Sequence, residues 1–284
     1  MPKRLAILVL CTLSIFSLMF ESSAARGRWH RRNRCRSACC VTVSTLPADI
    51  DTVPTARPTR EIVSASGRRY RLYQSSEQDP LGFGDEPAAL FGAAQRWDGT
   101  DGETFAGLSR RNAKTSVSGG SMATFSRLND LLDSLPSDST MRSPSAGIAR
   151  GADSDRVQVE NKNVTVDAWL YAASYEDDND FHLIIGNRAR AGTRFMNVEV
   201  SGIPLSGMPD RDVLMTVRDQ FEDVFDGVPG DAYMFADPPI PVRVSGSLFF
   251  DIDHAAGGVG PGSLRNRIRT AWEIHPITNI ELND

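Results

Sequence analysis

The sequence predicts a mainly β protein in which a five-stranded OB-type barrel with one or two helices follows a largely disordered region. Three features predict it. From residue 156 onward the text reads as three strands, a helix and two strands, the order of a small barrel whose helix plugs one end between the third and fourth strands. The long apolar runs lie in that half, whereas 42–155 is rich in Ser, Pro, Gly, Arg and Asp. A chain of 284 residues with net charge −5 suits one compact domain behind a poorly packed region. The charge itself names no partner.

The N-terminus has the form of a secretory signal over residues 1–25. Lys3 and Arg4 precede an apolar run that begins at Leu5, and small residues follow at Ser22, Ser23, Ala24 and Ala25. The run, about 16 residues, is shorter than the ~20 that span a bilayer, so an exported chain, periplasmic or secreted, is expected. An Arg- and Cys-rich arm and low-order linker would occupy 26–120. In an oxidising compartment Cys35 is expected to pair with Cys39 or Cys40, because adjacent cysteines bridge each other poorly. Arg26, Arg28, Arg31, Arg32, Arg34 and Arg36 suit an anionic surface, with a solvated tail as the plainer reading.

Within the linker, 61–73 alternates around Ser66 and Gly67 as a small hairpin would, and 87–97 is a short helix candidate. A docking helix is predicted at 121–135, with Met122, Phe125, Leu128, Leu131, Leu132 and Leu135 on one stripe and Pro136 ending it; extended linker then runs to 155. Lys114-Thr115 is no phosphate loop, since Ala113 stands where glycine is required. Gly119, Gly120 and Ser121 make no nucleophile elbow, since no strand leads into them.

The barrel domain, 156–284, is assigned strands at 164–174, 180–186, 194–200, 240–251 and 270–282. A helix at 209–225 turns Val213, Leu214, Val217, Phe221, Val224 and Phe225 to one face. Three of the four histidines fall here beside carboxylates: Asp180 with His182, Asp251 with His254, and Glu273 with His275. Strand alternation places His182 opposite Phe181, Leu183 and Ile185, and Glu273 and His275 opposite Trp272 and Ile274. With the apolar faces filling the barrel, these polar groups face outward, bare or beneath a cover, for which the helix at 121–135 is the candidate.

The phrases Val164-Thr-Val-Asp-Ala-Trp169, Asp178-Asn-Asp-Phe-His182-Leu, Met196-Asn-Val-Glu199-Val, Val244-Ser-Gly-Ser-Leu-Phe-Phe-Asp251 and Trp272-Glu-Ile-His275-Pro-Ile resemble a group of uncharacterised exported bacterial proteins with an OB-type domain. The resemblance covers roughly 121–282, is most specific in its last 40 residues, and implies the fold and compartment without an activity.

Three functional readings stay open. As an OB-type binding or interaction protein, the chain would hold a ligand near its second and third strands, with Trp169 and Tyr171 as stacking candidates. Arg265, Arg267 and Arg269 would line one rim. The opposite rim carries Glu176, Asp177, Asp178 and Asp180, which disfavours nucleic acid and leaves a peptide, glycan or protein partner. As a metal-dependent hydrolase, phosphodiesterase- or nuclease-like, it would use His182, His254 and His275 with Asp251 or Glu273. In the structural reading these groups bond to one another and tie the strands together, no residue is catalytic, no cofactor is bound and bound metal stays below one equivalent.

Overall fold

The computed structural model describes residues 42–45, 58–78, 104–189, 194–225, 232–254, 264 and 268–283, all within one compact unit, Ser37–Asp284. The signal segment, the arm with Cys35, Cys39 and Cys40, the helix candidate at 87–97, and Arg265 and Arg267 lie outside the described residues. In chain order the elements are β1 (Thr42–Thr45), β2 (Pro58–Val63), β3 (Arg69–Gln78), α1 (Arg111–Lys114), β4 (Met122–Phe125), α2 (Leu128–Ser134) and α3 (Asp138–Met141). The second half comprises β5 (Asn163–Tyr175), β6 (Phe181–Gly186), β7 (Phe195–Val200), α4 (Arg211–Phe225), β8 (Ala232–Phe250) and β9 (Ile268–Leu282).

Strands β5, β6, β7, β9 and β8 pair in that order, and β8 pairs back onto β5, so five strands close into a mixed barrel. Only the β7–β9 pairing in the ring is parallel, and α4 lies between the third and fourth barrel strands, which is the OB arrangement. Every barrel element was legible from alternation and helical spacing. The interior is apolar: Leu183 and Ile185 of β6, Met196, Val198 and Val200 of β7, and Trp272 and Ile274 of β9 join one buried cluster. Helix α4 adds Val217, Phe221 and Phe225 to it, while Val213, expected on the buried face, is 44% exposed. The position sits at the helix's first turn, where the chain enters from the exposed stretch 205–209.

Two parts of the presumed linker belong to this unit. The hairpin β2–β3 turns at Gly67, whose φ of +83° suits glycine, and continues the sheet by pairing β3 with β8. Its Ile62, Tyr70 and Leu72 are buried in the main cluster. Residues 104–118 form a strap rather than a linker. Phe105 N–H donates to Ile203 O (3.0 Å), Ala106 N–H to Asp178 O (2.8 Å), and Ser118 N–H to Ser247 Oγ (2.8 Å). At Gly202 an added Cβ would lie 2.7 Å from Phe105 Cα, so the strap crosses the barrel where no side chain intervenes.

The helix expected at 121–135 is split. Residues Met122–Phe125 form β4, parallel to the start of β5 in the register Met122↔Asn163, and the helix is confined to Leu128–Ser134. Edge pairing satisfies the backbone of 122–125, and Met122 is left exposed, so the stripe read as one helical face was partly an edge strand. Leu128 and Leu131 enter the barrel's apolar cluster. Helix α2 therefore packs on the barrel core and does not cover the histidines.

Candidate functional site: a buried carboxylate and histidine layer

Alternation along three adjacent strands builds the site. On β6, His182 points away from the interior that Phe181 and Leu183 fill; on β9, Glu273 and His275 do the same opposite Trp272 and Ile274; on β7, Asn197 and Glu199 oppose Met196 and Val198. The pairings His182↔Glu199 and Asn197↔Glu273 set these groups side by side. Asp180 enters β6 from the turn, and Asp251 and His254 follow the end of β8. All of them are buried, Glu273 and His275 completely, so the outward face is covered, and by the strap rather than by the predicted helix. Lys114 of α1 and Phe249 form part of the cover: Nζ lies 3.6 Å from Asp251 Oδ2 and 5.8 Å from the Phe249 ring centre, and that ring lies 5.5 Å from His275.

Each imidazole is held by carboxylates. His275 Nδ1 lies 2.7 Å from Glu199 Oε2 and its Nε2 3.3 Å from Asp180 Oδ2. His254 Nδ1 lies 2.9 Å from Glu273 Oε1 and 3.3 Å from Asp251 Oδ2. His182 Nδ1 meets Tyr233 Oη at 3.0 Å and Glu176 Oε1 at 3.5 Å, while its Nε2, in a residue 1% exposed, has no hydrogen-bond partner among the described residues; the nitrogens of His275 likewise lack hydrogen-bond geometry to their carboxylates. Asp180 Oδ2, Asn197 Oδ1, Asp251 Oδ2 and Glu273 Oε2 are likewise buried without a hydrogen bond, although Asp180 accepts from Gly202 N–H through its other oxygen. Buried polar atoms are ordinarily bonded, so orphans gathered in one layer need a reason.

Charge crowding gives the same picture. Burial and the neighbouring Glu199 push Glu273 up to about 7, and burial with Glu199 and Glu176 pushes Asp178 up to about 6 against the pull of Lys114. Burial and the charges of Asp178 and Glu199 hold Asp180 well above the carboxylate range. Burial opposes ionisation of Asp251, but His254 and Lys114 outweigh it and bring the group down to about 2. Burial likewise opposes charge on His254, yet Asp251 and Glu273 raise it to about 10. Glu199 is held well below its ordinary range because His275 beside it outweighs desolvation. Nearby carboxylates that repel one another into protonation are the environment a cation relieves.

Three sets of three residues each offer ligand atoms within 4.8 Å of one another: Asp180, Glu199 and His275; His182, Glu199 and Glu273; Asp251, His254 and Glu273. None of these sets contains two histidines, so a single ion shared by all three, the geometry the sequence suggested, is replaced by adjacent sets joined through Glu199 and Glu273. The six expected polar residues are brought into one layer. Sequence reasoning missed Glu199, Asn197 and Lys114; alternation in β7 would have found the first two.

The stacking and rim candidates lie elsewhere. Tyr171 is half-buried, edge-on to Phe195 at 5.1 Å, and donates to Arg188 O at 2.6 Å, so its ring packs rather than presenting a bare platform. Trp169 is half-buried opposite Gly186 on the same strand face. Arg269 is exposed and lines a cavity of about 470 Å³ between α2–α3 and β9, with Asp133, Asp138, Arg194 and Trp272. That cavity contains none of the carboxylate and histidine residues.

No protein-family model, no curated protein and no solved structure matches the chain.

Proposed function

We propose that the chain is an exported OB-type binding protein whose ligand is a divalent transition-metal ion, held by His182, Glu199 and Glu273. The carrying observation is His182 Nε2: buried, without a hydrogen bond, in a set with two carboxylates inside 4.8 Å, on a ring whose other nitrogen is fixed by Tyr233 and Glu176. Metal-bound histidines are characteristically oriented this way by a group on the second nitrogen. Burial opposes charge on this ring, but Glu176, Glu199 and Glu273 raise its pKa, so binding would release a proton and leave Nε2 with the lone pair a metal requires. The layer also lies on the second and third barrel strands, where OB-type barrels hold ligands. The resemblance to exported bacterial OB-type proteins rests on Asp180, His182, Asp251, Glu273 and His275, members of the same layer.

Mixed carboxylate and imidazole donors suit manganese, iron or zinc. Manganese is the cleaner probe, because the thiols at Cys35, Cys39 and Cys40 attract zinc. The full chain is expected to take up Mn²⁺ and, at 100 times Kd, to gain about 2.7 kcal/mol of stability. His182→Ala is expected to lose both uptake and gain. Absence of Mn²⁺ and Zn²⁺ binding by the unmutated chain would return the layer to the structural reading.

A second reading, a metal-dependent phosphodiesterase, has one observation in its favour: Glu199 and Glu273 each belong to two of the three sets, as ligands bridging a pair of ions would. Hydrolysis of a phosphodiester by the Mn²⁺-loaded chain, lost in Glu199→Gln, would establish it; no turnover leaves the binding role.

A further inference from the structure

The three sets are not electrically alike. The set of Asp251, His254 and Glu273 already has a cation beside it: Lys114 Nζ stands 3.6 Å from Asp251 Oδ2, while His254 Nδ1 lies within hydrogen-bonding reach of Glu273 and close to Asp251. Lys114 and Asp251 are both almost completely buried, so little water screens their attraction. The ammonium also feels the charges of Glu199, Asp178 and Asp180. In the set of His182, Glu199 and Glu273 the ammonium is felt by Glu199, but the carboxylate it pairs with is Asp251 of the other set.

We propose that Lys114 is the fixed second cation of a two-cation layer, so that one divalent ion binds at His182, Glu199 and Glu273 while the lysine ammonium does at Asp251 what a second ion would do. The inference rests on the metal-binding reading. Geometry sets the two cations in competition for the same carboxylate on the Asp251 side. An ion ligated by Asp251 sits roughly 2.0–2.2 Å from the carboxylate oxygen, which brings it within about 6 Å of Nζ inside an enclosed layer, where like charges repel strongly. The ammonium cannot readily withdraw. The strap that carries it is anchored before α1 at Phe105 and Ala106, and after it at Val117, whose N–H donates to Asp210 Oδ2 (2.9 Å), and at Ser118. At the N-cap of α1, Arg110 makes a paired contact with Glu160 (2.7 and 2.8 Å) and donates to Phe250 O (3.0 Å), which fixes the start of the helix one turn before Lys114.

A lysine held in this way also sets the chain's ion count. With the ammonium in place the layer takes one divalent ion; with a neutral side chain of similar length, Asp251, His254 and Glu273 become a second vacancy that shares Glu273 with the first.

The test counts Mn²⁺ bound to the full chain by equilibrium dialysis and reads the spin coupling of bound ions by electron paramagnetic resonance. The unmutated chain and Lys114→Arg are expected to bind one equivalent with an isolated-ion spectrum. Lys114→Met is expected to bind two, with the exchange-coupled spectrum of a carboxylate-bridged pair. One equivalent in both the unmutated chain and Lys114→Met overturns the role of Lys114 while leaving the metal site standing, and two equivalents in the unmutated chain overturn it equally. No binding in the unmutated chain defeats the metal reading on which this one stands. Should Lys114→Met fold poorly, it is refolded with Mn²⁺: recovery with two bound ions supports the substitution of ion for ammonium, and failure to recover in excess Mn²⁺ refutes it.

Discussion

The two sides of the barrel wall are made by the same strands and buried to the same degree, yet they obey opposite rules. Inward, Leu183, Val198 and Ile274 are 0% exposed, and burial alone stabilises them. Outward, His182, Glu199 and Glu273 lie within 5% of complete burial, and burial works against their charged forms. The inner side specifies the fold. The outer side is held by the ion pair of Lys114 with Asp251 and by imidazole–carboxylate contacts, with polar atoms still unbonded among the described residues. Equal burial therefore signifies apolar packing on one side and a crowded polar layer on the other.

The difference can be broken most forcefully from the inside. Leu183→Ala should cost about 2–5 kcal/mol by transfer and cavity terms, measured by urea unfolding, without altering the Mn²⁺ stoichiometry of the folded fraction. A loss of metal at unchanged stability would mean that the two sides are not separable. Next is the strap. Gly202→Ala would force Phe105 backbone away from the barrel, at about 1–3 kcal/mol, and Mn²⁺ uptake should become faster in stopped-flow mixing; an unchanged rate would show that ions enter by another route.

On the outer side the sign reverses. Glu273→Gln removes one of two mutually repelling carboxylates, so the metal-free chain should be equally stable or up to about 1 kcal/mol more stable, whereas Mn²⁺ affinity should fall at least about tenfold, the equivalent of 1.4 kcal/mol. A strongly destabilised metal-free variant would identify Glu273 as a structural anchor through His254. The smallest effect is a slope. Folded Glu273 at about 7 and Asp178 at about 6 keep protons that the unfolded chain releases near their ordinary values, and His254 at about 10 behaves likewise above 6.5. The native state thus binds more protons, so stability of the metal-free chain should fall as pH rises from about 4 toward 10. Asp251, held at about 2, contributes the opposite slope below about 4, and His275, lowered by burial, does so as pH rises toward its ordinary 6.5, where the larger upward shifts of Glu273 and Asp178 outweigh it. Thermal melts across this range should show the decline, and saturating Mn²⁺ should flatten it; a metal-free Tm rising through pH 5–8 would contradict the crowding.

What was legible follows from range. Period-two alternation located β5, β6, β7, β8 and β9 and assigned His182, Glu273 and His275 to the outer side, because neighbours along a strand carry that information locally. Glu199 carried the same signal and was passed over as a site residue because β7 holds no histidine. The strap was not legible: 104–118 has no period, and the approach of Lys114 to Asp251 is created only by the closed barrel and the crossing at Gly202. At 122–125 a helical stripe and an edge strand share one apolar pattern, and pairing with β5 decided between them. The arm, the signal segment and the Arg265 and Arg267 rim lie outside the described residues.

The parallel register of β7 and β9, Asn197↔Glu273 and Val198↔Ile274, has one more consequence. A slip of one residue would carry Glu273 and His275 into the hydrocarbon interior and turn Trp272 and Ile274 out against carboxylates. Both halves of that exchange are heavily unfavourable, so the polar layer also fixes the register in which the barrel closes.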